Sequence, residues 1–537
     1  MKKFLSILLI VLPFMPAWAQ NAEQTGSEPQ KTWYGEELYL NNIRYDGIGP
    51  TSTAFIPYST LNSIEVSYSN IDGTLRAVDD GRETDDFNVS VKGAKKVGSK
   101  VSLEGKFDYV VDHLNDSRWN NTTLLSARNP FIIADSLYYL RADGTDSIPN
   151  DKNKELFNLN GSLTYQASDR LLLGLNGNFR VANQTDQSDP RFEAKAARVT
   201  IIPGMEYKLG DRHSLGFSAL AELYHENSSS SVEDNIYAEH TVTFNILELG
   251  SVEINSDYSS SRRYEGKVFG GAFTSVLEGP ELSNFAEVRG KFTFEEAIDG
   301  GSSYSRHGGE YKEFYFGAMD RLRFYTGNLV HNIQIEADML MGSGKTFKHN
   351  TRYDELGNTI YEVTSGSVTQ KETDINADLF YRIDMLQSSN PTFTAKVNGG
   401  MEMVKVTQYP DSYHANYTLA HAGLMATKRW FDNKVRYSIT AQGAYNTALK
   451  ELDLTLPSAT MNNKKFGNGY FTPKYEYYAA SYFGAGLLAD AAYPIKGKDG
   501  NIYWLKAGVG YNLLKYTGDY NKFDDRQTLT AKLTLTF

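Results

Sequence analysis

Residues Gln527-Thr528-Leu529-Thr530-Ala531-Lys532-Leu533-Thr534-Leu535-Thr536-Phe537 alternate with a period of two. Leu529, Ala531, Leu533, Leu535 and Phe537 fall on one face, and Thr528, Thr530, Lys532, Thr534 and Thr536 on the other. Successive side chains of a β-strand point to opposite sides, so the stretch is a strand with two unlike faces. An apolar face backed by threonine and lysine fits a sheet with hydrocarbon on one side and water on the other.

The same alternation recurs upstream. Phe157, Leu159, Gly161, Leu163 and Tyr165 alternate with Asn158, Asn160, Ser162 and Thr164. After Ser168-Asp169-Arg170 the pattern resumes with Leu173, Leu175, Gly177, Phe179 and Val181 against Gly174, Asn176, Asn178 and Arg180, which makes a hairpin. Ile375, Ala377, Leu379, Tyr381, Ile383 and Met385 oppose Asp374, Asn376, Asp378, Arg382 and Asp384. Strands of soluble sandwiches average about five or six residues. These runs are about ten to fourteen, the length a tilted strand needs to cross a bilayer.

Connections are of two kinds. Tight turns are expected at Val97-Gly98-Ser99-Lys100, Ser168-Asp169-Arg170, Gly210-Asp211-Arg212, Glu248-Leu249-Gly250, Gly279-Pro280, Gly327-Asn328, Ser388-Ser389-Asn390-Pro391, Phe431-Asp432-Asn433-Lys434 and Gly497-Lys498-Asp499-Gly500. Longer polar stretches at 113–154, 344–372 and 449–473 are expected to be loops on the other side. Short periplasmic turns and long extracellular loops are the pattern of a transmembrane antiparallel outer-membrane β-barrel, with about 18–20 strands by this count. The uncertain pair lies around 252–283, where Ser259-Ser260-Ser261-Arg262-Arg263 reads as either a loop or part of one long strand. Phe537 stands where such barrels carry their aromatic assembly signal.

Composition agrees. Mean hydropathy is −0.44 and no stretch past the N-terminus approaches a helical membrane span. A barrel tolerates that polarity because half of each strand faces a wet lumen. At the N-terminus, Lys2 and Lys3 precede an apolar run from Phe4 to Met15, and Ala17-Trp18-Ala19 gives a cleavage site. Residues 1–19 are therefore expected to be a signal peptide. The chain has no Cys, which excludes disulfides, thiolate metal sites and cysteine nucleophiles. A net charge of −11 argues against nucleic acid as a partner.

Tyr165, Tyr207, Phe324, Tyr325, Trp430, Phe431 and Tyr493 collect beside the expected short turns, where an interfacial girdle would lie. On the inward face, candidate lumen-lining residues are Glu104, Lys106 and Asp108 on one strand, and Glu287, Arg289 and Lys291 on another. Glu336, Asp338, Asp378, Arg382, Arg436 and Lys506 continue the set. An Arg or Lys facing mid-bilayer lipid costs about 2–4 kcal/mol, so these charges belong inside. They read either as a polar pathway or as cross-strand ladders worth about 0.2–1 kcal/mol a pair. Their mixed signs do not indicate a strongly ion-selective pore.

Residues 20–61 precede the barrel, which is expected over 62–537. They are either a small hatch in the barrel mouth or a periplasmic tail, and far too short for the globular plug of a TonB-dependent receptor. Gly49-Pro50-Thr51-Ser52-Thr53-Ala54-Phe55, followed by Ile64-Glu65-Val66-Ser67-Tyr68 and the terminal Leu533-Thr534-Leu535-Thr536-Phe537, resembles an outer-membrane β-barrel family of the Bacteroidota that has no known function. The early segment is also loosely similar to the Asn-Pro-Ala entry of long-chain fatty-acid transporters, although Asn-Pro-Ala itself is absent. The resemblance implies the fold and a bacterial outer-membrane location, and brings no functional residue with it.

Other chemistry finds little support. Gly342-Ser343-Gly344-Lys345-Thr346 ends like a phosphate-binding loop, but Met339 stands where the motif needs glycine, so a flexible strand-to-loop junction is expected. The nine histidines form no helical metal pair, and no Ser–His or Asp–His spacing marks a hydrolase. Asp143, Asp146, Asn150 and Asp151, and Asp79, Asp80, Glu83, Asp85 and Asp86, offer oxygens without matching the calcium-loop pattern. No catalytic residue, metal or cofactor is expected. The leading reading is a channel or transport component for a polar solute. The alternatives are a non-conducting scaffold for a surface lipoprotein or a TonB-dependent transporter, and an outer-membrane hydrolase. Outer-membrane lipids, lipopolysaccharide and the barrel assembly machinery are the expected surroundings.

Overall fold

Two-faced strands with no partner sheet must bury their ladders by closing on themselves. The computed structural model shows this closure. It describes residues 42–44, 47–56 and the chain from 60 onward, except 79, 118–121, 124–131, 140–144, 148–149, 187–190, 232–240, 249–250, 256–258, 301–304, 358, 388–389, 410–412, 433–434, 457–466, 499–500 and 521. The signal-peptide reading of 1–19 lies outside the described residues, as does all of 20–41.

Strands are numbered in chain order. β1 (Thr60–Gly73), β2 (Glu83–Val97) and β3 (Val101–Ser117) open the barrel. β4 (Ile132–Tyr139) and β5 (Thr145–Ser147) leave it. β6 (Asn150–Gln166), β7 (Leu171–Asp186), β8 (Arg191–Lys208) and β9 (His213–Ser231) rejoin it, and β10 (Thr241–Glu248) and β11 (Ser251–Asn255) leave again. The wall continues through β12 (Ser259–Glu278), β13 (Leu282–Asp299), β14 (Arg306–Thr326), β15 (Leu329–Tyr353) and β16 (Thr359–Gln387). It ends with β17 (Asn390–Gln408), β18 (His414–Asp432), β19 (Val435–Thr455), β20 (Tyr482–Lys496), β21 (Ile502–Tyr516) and β22 (Asp525–Thr536). Eighteen strands form one antiparallel sheet, and β1 pairs with β22 from Ser63↔Thr536 to Gly73↔Arg526. The Phe537 amide donates to the Asn62 carbonyl at 2.9 Å, and the Asn62 amide donates back at 2.8 Å. The barrel is therefore laced up to Phe537 itself.

The outward face is apolar. Leu529, Leu533, Phe269, Phe273 and Phe292 are each about half exposed, with no protein to cover them. Tyr165, Tyr207, Trp430 and Tyr493 ring the short-turn end of this face, and Trp430 stacks on Tyr437 at 5.9 Å, whereas Tyr325 lies in phase with the inward Arg321 and Arg323.

Three expectations need correction. The stretch 344–372 is not a loop: β15 and β16 pair through it as far as Tyr353↔Thr359, leaving 354–358 as the connection. Gly342–Thr346 accordingly lies within β15, paired on both sides, and is no flexible junction. Glu248-Leu249-Gly250 does not join two wall strands; β10 and β11 pair with each other, and β10 with β4, in a separate four-stranded sheet. Their alternation imitated a wall strand, which is how the count reached twenty. Ser259–Arg263 belongs to β12, one strand of 20 residues.

Candidate functional site

Inside the barrel, polar residues predominate, and two chain segments reach in to meet them. The first is N-terminal. Asn42, Ile43 and Arg44 are buried against the inner wall near the short-turn end. Arg44 Nη2 donates to Glu206 Oε1 at 2.7 Å and Nη1 to Glu278 Oε1 at 2.8 Å. Ser214 Oγ and Thr51 Oγ1 donate to the same Glu206 carboxylate, at 2.6 and 3.0 Å. Burial pulls the Arg44 guanidinium down, but the two carboxylates outweigh it and hold its pKa above the ordinary value. Arg321 Nη1 donates to the Ile43 carbonyl at 3.0 Å, and the Ile48 amide to Glu287 Oε2 at 2.9 Å. Pro50 rests on a glycine seat: a Cβ at Gly174 or at Gly204 would come within 2.7 Å of it. Those glycines are register partners on β7 and β8, and the Thr164 hydroxyl on neighbouring β6 donates to the Pro50 carbonyl at 2.9 Å.

The second segment comes from the connection between β19 and β20. Residues Gly467–Phe471 form a π-helical turn that runs into the short helix α1 (Thr472–Tyr478). Tyr470 and Phe471 are buried against Val404, Val406, Ala415, Tyr417 and Leu419 of β17 and β18. These wall residues point inward, in phase with Glu402 and His421. An inward apolar patch is costly beside water, and the helical turn is what covers it. Burial also pushes the Tyr475 phenol above its ordinary pKa. Asn446 Nδ2 donates to the Ala480 carbonyl at 2.8 Å, tying the segment to β19. A third inward contact comes from the β3–β6 connection, where the Thr123 hydroxyl donates to Glu226 Oε2 at 3.0 Å.

The inner wall from β13 to β22 lines a cavity of about 940 Å³. Its lining includes Met319 and Arg321, which also touch the N-terminal segment, and Asn446, which also holds the loop segment.

The predicted lumen residues separate into groups. Glu287, Arg289 and Glu336 come together: Arg289 bonds Glu336 at 2.6 Å and Glu287 at 3.4 Å. Arg289 Nε donates to the Tyr315 hydroxyl at 3.2 Å, and Lys291 Nζ stands 4.5 Å from the Tyr315 ring centre. Arg382 clamps Asp384 at 2.6 and 2.7 Å, and Asp378 meets His421 Nε2 at 2.6 Å. Asp338 accepts from Asn376 at 3.3 Å. Arg289, Glu336 and Arg382 line the cavity. Glu287 and Asp378 stand directly behind the lining, bonded to Arg289 and His421, and the charges of β3, β19 and β21 lie elsewhere on the wall. Lys106 pairs with Asp108 at 2.7 Å, and Glu104 sits opposite Ser162 on the same strand. The Arg436 guanidinium lies 3.9 Å over the Trp504 ring, and Lys506 faces Thr534.

Sequence reading missed Arg44, Glu206, Glu278, Arg321 and Asn332. The inward phase of the last four was readable, and so were the inward glycines at 174 and 204. Their convergence was not, because Arg44 and Glu206 are 162 positions apart.

Among the described residues, Glu296, His307 and Glu310 bring ligand atoms within 4.8 Å of one another. His307 and Glu310 stand 3.9 Å apart, beyond hydrogen-bonding range, and the three form no closed coordination shell.

A family model described as a family of unknown function, DUF6850, matches residues 50–537. The chain belongs to that family. Among solved structures, the RagAB peptide importer in the "closed-closed" state is similar at 7% identity and a TM-score of 0.40, over 89% of this chain and 86% of that one. The ferric preacinetobactin receptor BauA from Acinetobacter baumannii is similar at 9% identity and 0.39, over 89% and 80%. The copper transporter OprC is similar at 8% and 0.38, also over 89% and 80%. No curated protein matches.

Proposed function

We propose that this DUF6850 barrel sits in a bacterial outer membrane and passes a polar solute through a lumen that its own chain closes at rest. Its short turns would face the periplasm and its longer connections the outside. Residues 42–56 would act as a hatch at the periplasmic mouth, and the α1 segment as a lid at the other. The observation that carries this reading is the cavity of about 940 Å³, whose lining residue Arg321 bonds one segment and Asn446 the other. A wall stiffened by ladders would need no such space. Lipid and lipopolysaccharide would contact the apolar outer face, and the assembly machinery would read Phe537.

Planar bilayers test the reading. The variant Arg44→Ala/Phe471→Ala frees both segments and should give discrete conductance steps, with wild type smaller or closed. A barrel that still migrates faster unboiled than boiled, yet stays silent as the double variant, would refute passage. It would favour a scaffold for a surface lipoprotein or an energised transporter.

A further inference from the structure

We infer that the cavity recognises an organic anion, one bearing a carboxylate or phosphate group on a partly apolar body. The inference deepens the proposed solute path and rests on it for biological meaning. The chain as a whole carries −11, but the charged side chains on the cavity's own lining are mostly cations. Arg289, Arg321, Arg382 and Lys396 stand on its lining with the carboxylate Glu336, while Glu287 and Asp384, the ion-pair partners of Arg289 and Arg382, stand behind that lining.

The register concentrates the effect. Arg323, Asn332, Arg382 and Lys396 are successive cross-strand neighbours on β14, β15, β16 and β17. Arg382 and Lys396 are set directly opposite each other, which places two cations side by side on the wall. Asp384 grips Arg382 from one side and fixes the direction of its fork, which suits planar oxyanions.

Asn332 supplies an independent pointer. It lines the cavity and is 1% exposed. Its Oδ1 accepts from Arg323 Nε at 2.9 Å, while its Nδ2 has no hydrogen-bond partner. A buried donor left unpaired is costly, and an acceptor arriving in the cavity would satisfy it. Met319, Phe380, Met425 and Leu514 supply apolar surface beside these donors. The volume, about 940 Å³, lies at the upper end of the range of roughly 300–1,000 Å³ typical of small-molecule sites.

Titration calorimetry on the full-length protein in detergent tests this with four probes: hexanedioate, glucose 6-phosphate, glucose and hexane-1,6-diamine. At least one anion should bind ten-fold or more tightly than glucose or the diamine, and the stronger of the two identifies the acidic group. Asn332→Asp keeps the acceptor for Arg323 but replaces the donor with a carboxylate oxygen. It should weaken anion binding at least ten-fold. Glu336→Gln should strengthen it several-fold. Lys396→Gln serves if Asn332→Asp loses its heat-modifiable migration, and should weaken binding likewise. No binding of either anion, equal binding of glucose or diamine, or indifference to these substitutions overturns the inference. Anion binding in a barrel that never conducts would sink the solute path and leave the site standing. Conductance without anion binding would do the reverse.

Discussion

A carboxylate such as Glu206, 2% exposed inside a barrel, keeps its charge only if cations and hydroxyls surround it. Arg44, Ser214 and Thr51 do so, and Arg44 brings the whole N-terminal segment with it. Arg44→Ala leaves Glu206 buried and unpaired, so docking of residues 47–56 should weaken by about 3–5 kcal/mol. Arg44→Met with Glu206→Met should cost less than either single change, because the buried charge goes with its partner. Amide hydrogen exchange in residues 47–56 measures both. Gly204→Val gives a steric control, since a Cβ there would meet Pro50 at 2.7 Å and should raise exchange without touching any charge. If exchange stays at wild-type level in Arg44→Ala, the latch has no energetic role. None of these pairings was legible from the chain: the alternation said which residues face inward, but nothing local says which inward residues meet across the lumen.

At the scale of elements, alternation is a record of two different solvents, and it fades where both sides are wet. That is why the crossing parts of β15 and β16 were readable and their outer parts were not. Lys345, Lys348, His349, Asn350, Thr351 and Arg352 show no apolar face, yet they are strand. At about 3.3 Å a residue, the 25 and 29 residues of β15 and β16 run on the order of 80–95 Å, well beyond any bilayer. Failure of the opposite kind marks Val404, Val406, Tyr417 and Leu419, which are apolar where the lumen rule demands polar. Such a breach signals a covering element, here Tyr470, Phe471 and α1. Phe471→Ala should therefore release this segment, at about 3–5 kcal/mol for a buried aromatic, without unseating the barrel. Hydrogen exchange should rise in residues 467–481 and stay unchanged along β20 to β22. Protection lost equally in the wall would mean that the helical turn helps hold the barrel shut rather than merely covering a patch.

For the whole molecule, the two inward segments meet the cavity from opposite ends, through Arg321 on one side and Asn446 on the other. Closures in series have a signature that depends on direction of approach: opening one exposes the cavity to that side alone. The absence of Cys from the chain makes this measurable, because a single introduced thiol has no background. Gln442 lines the cavity on β19, and Gln442→Cys places that thiol between the two segments. In proteoliposomes of known orientation, a charged, membrane-impermeant thiol reagent should label wild type slowly from either side. Adding Arg44→Ala should speed labelling at least ten-fold from the short-turn side only, and adding Phe471→Ala should do so from the long-connection side only. Fast labelling of wild type from both sides would describe an open pore. Equal acceleration from both sides by either substitution would mean that the two segments are one coupled closure, with its gate at the cavity itself.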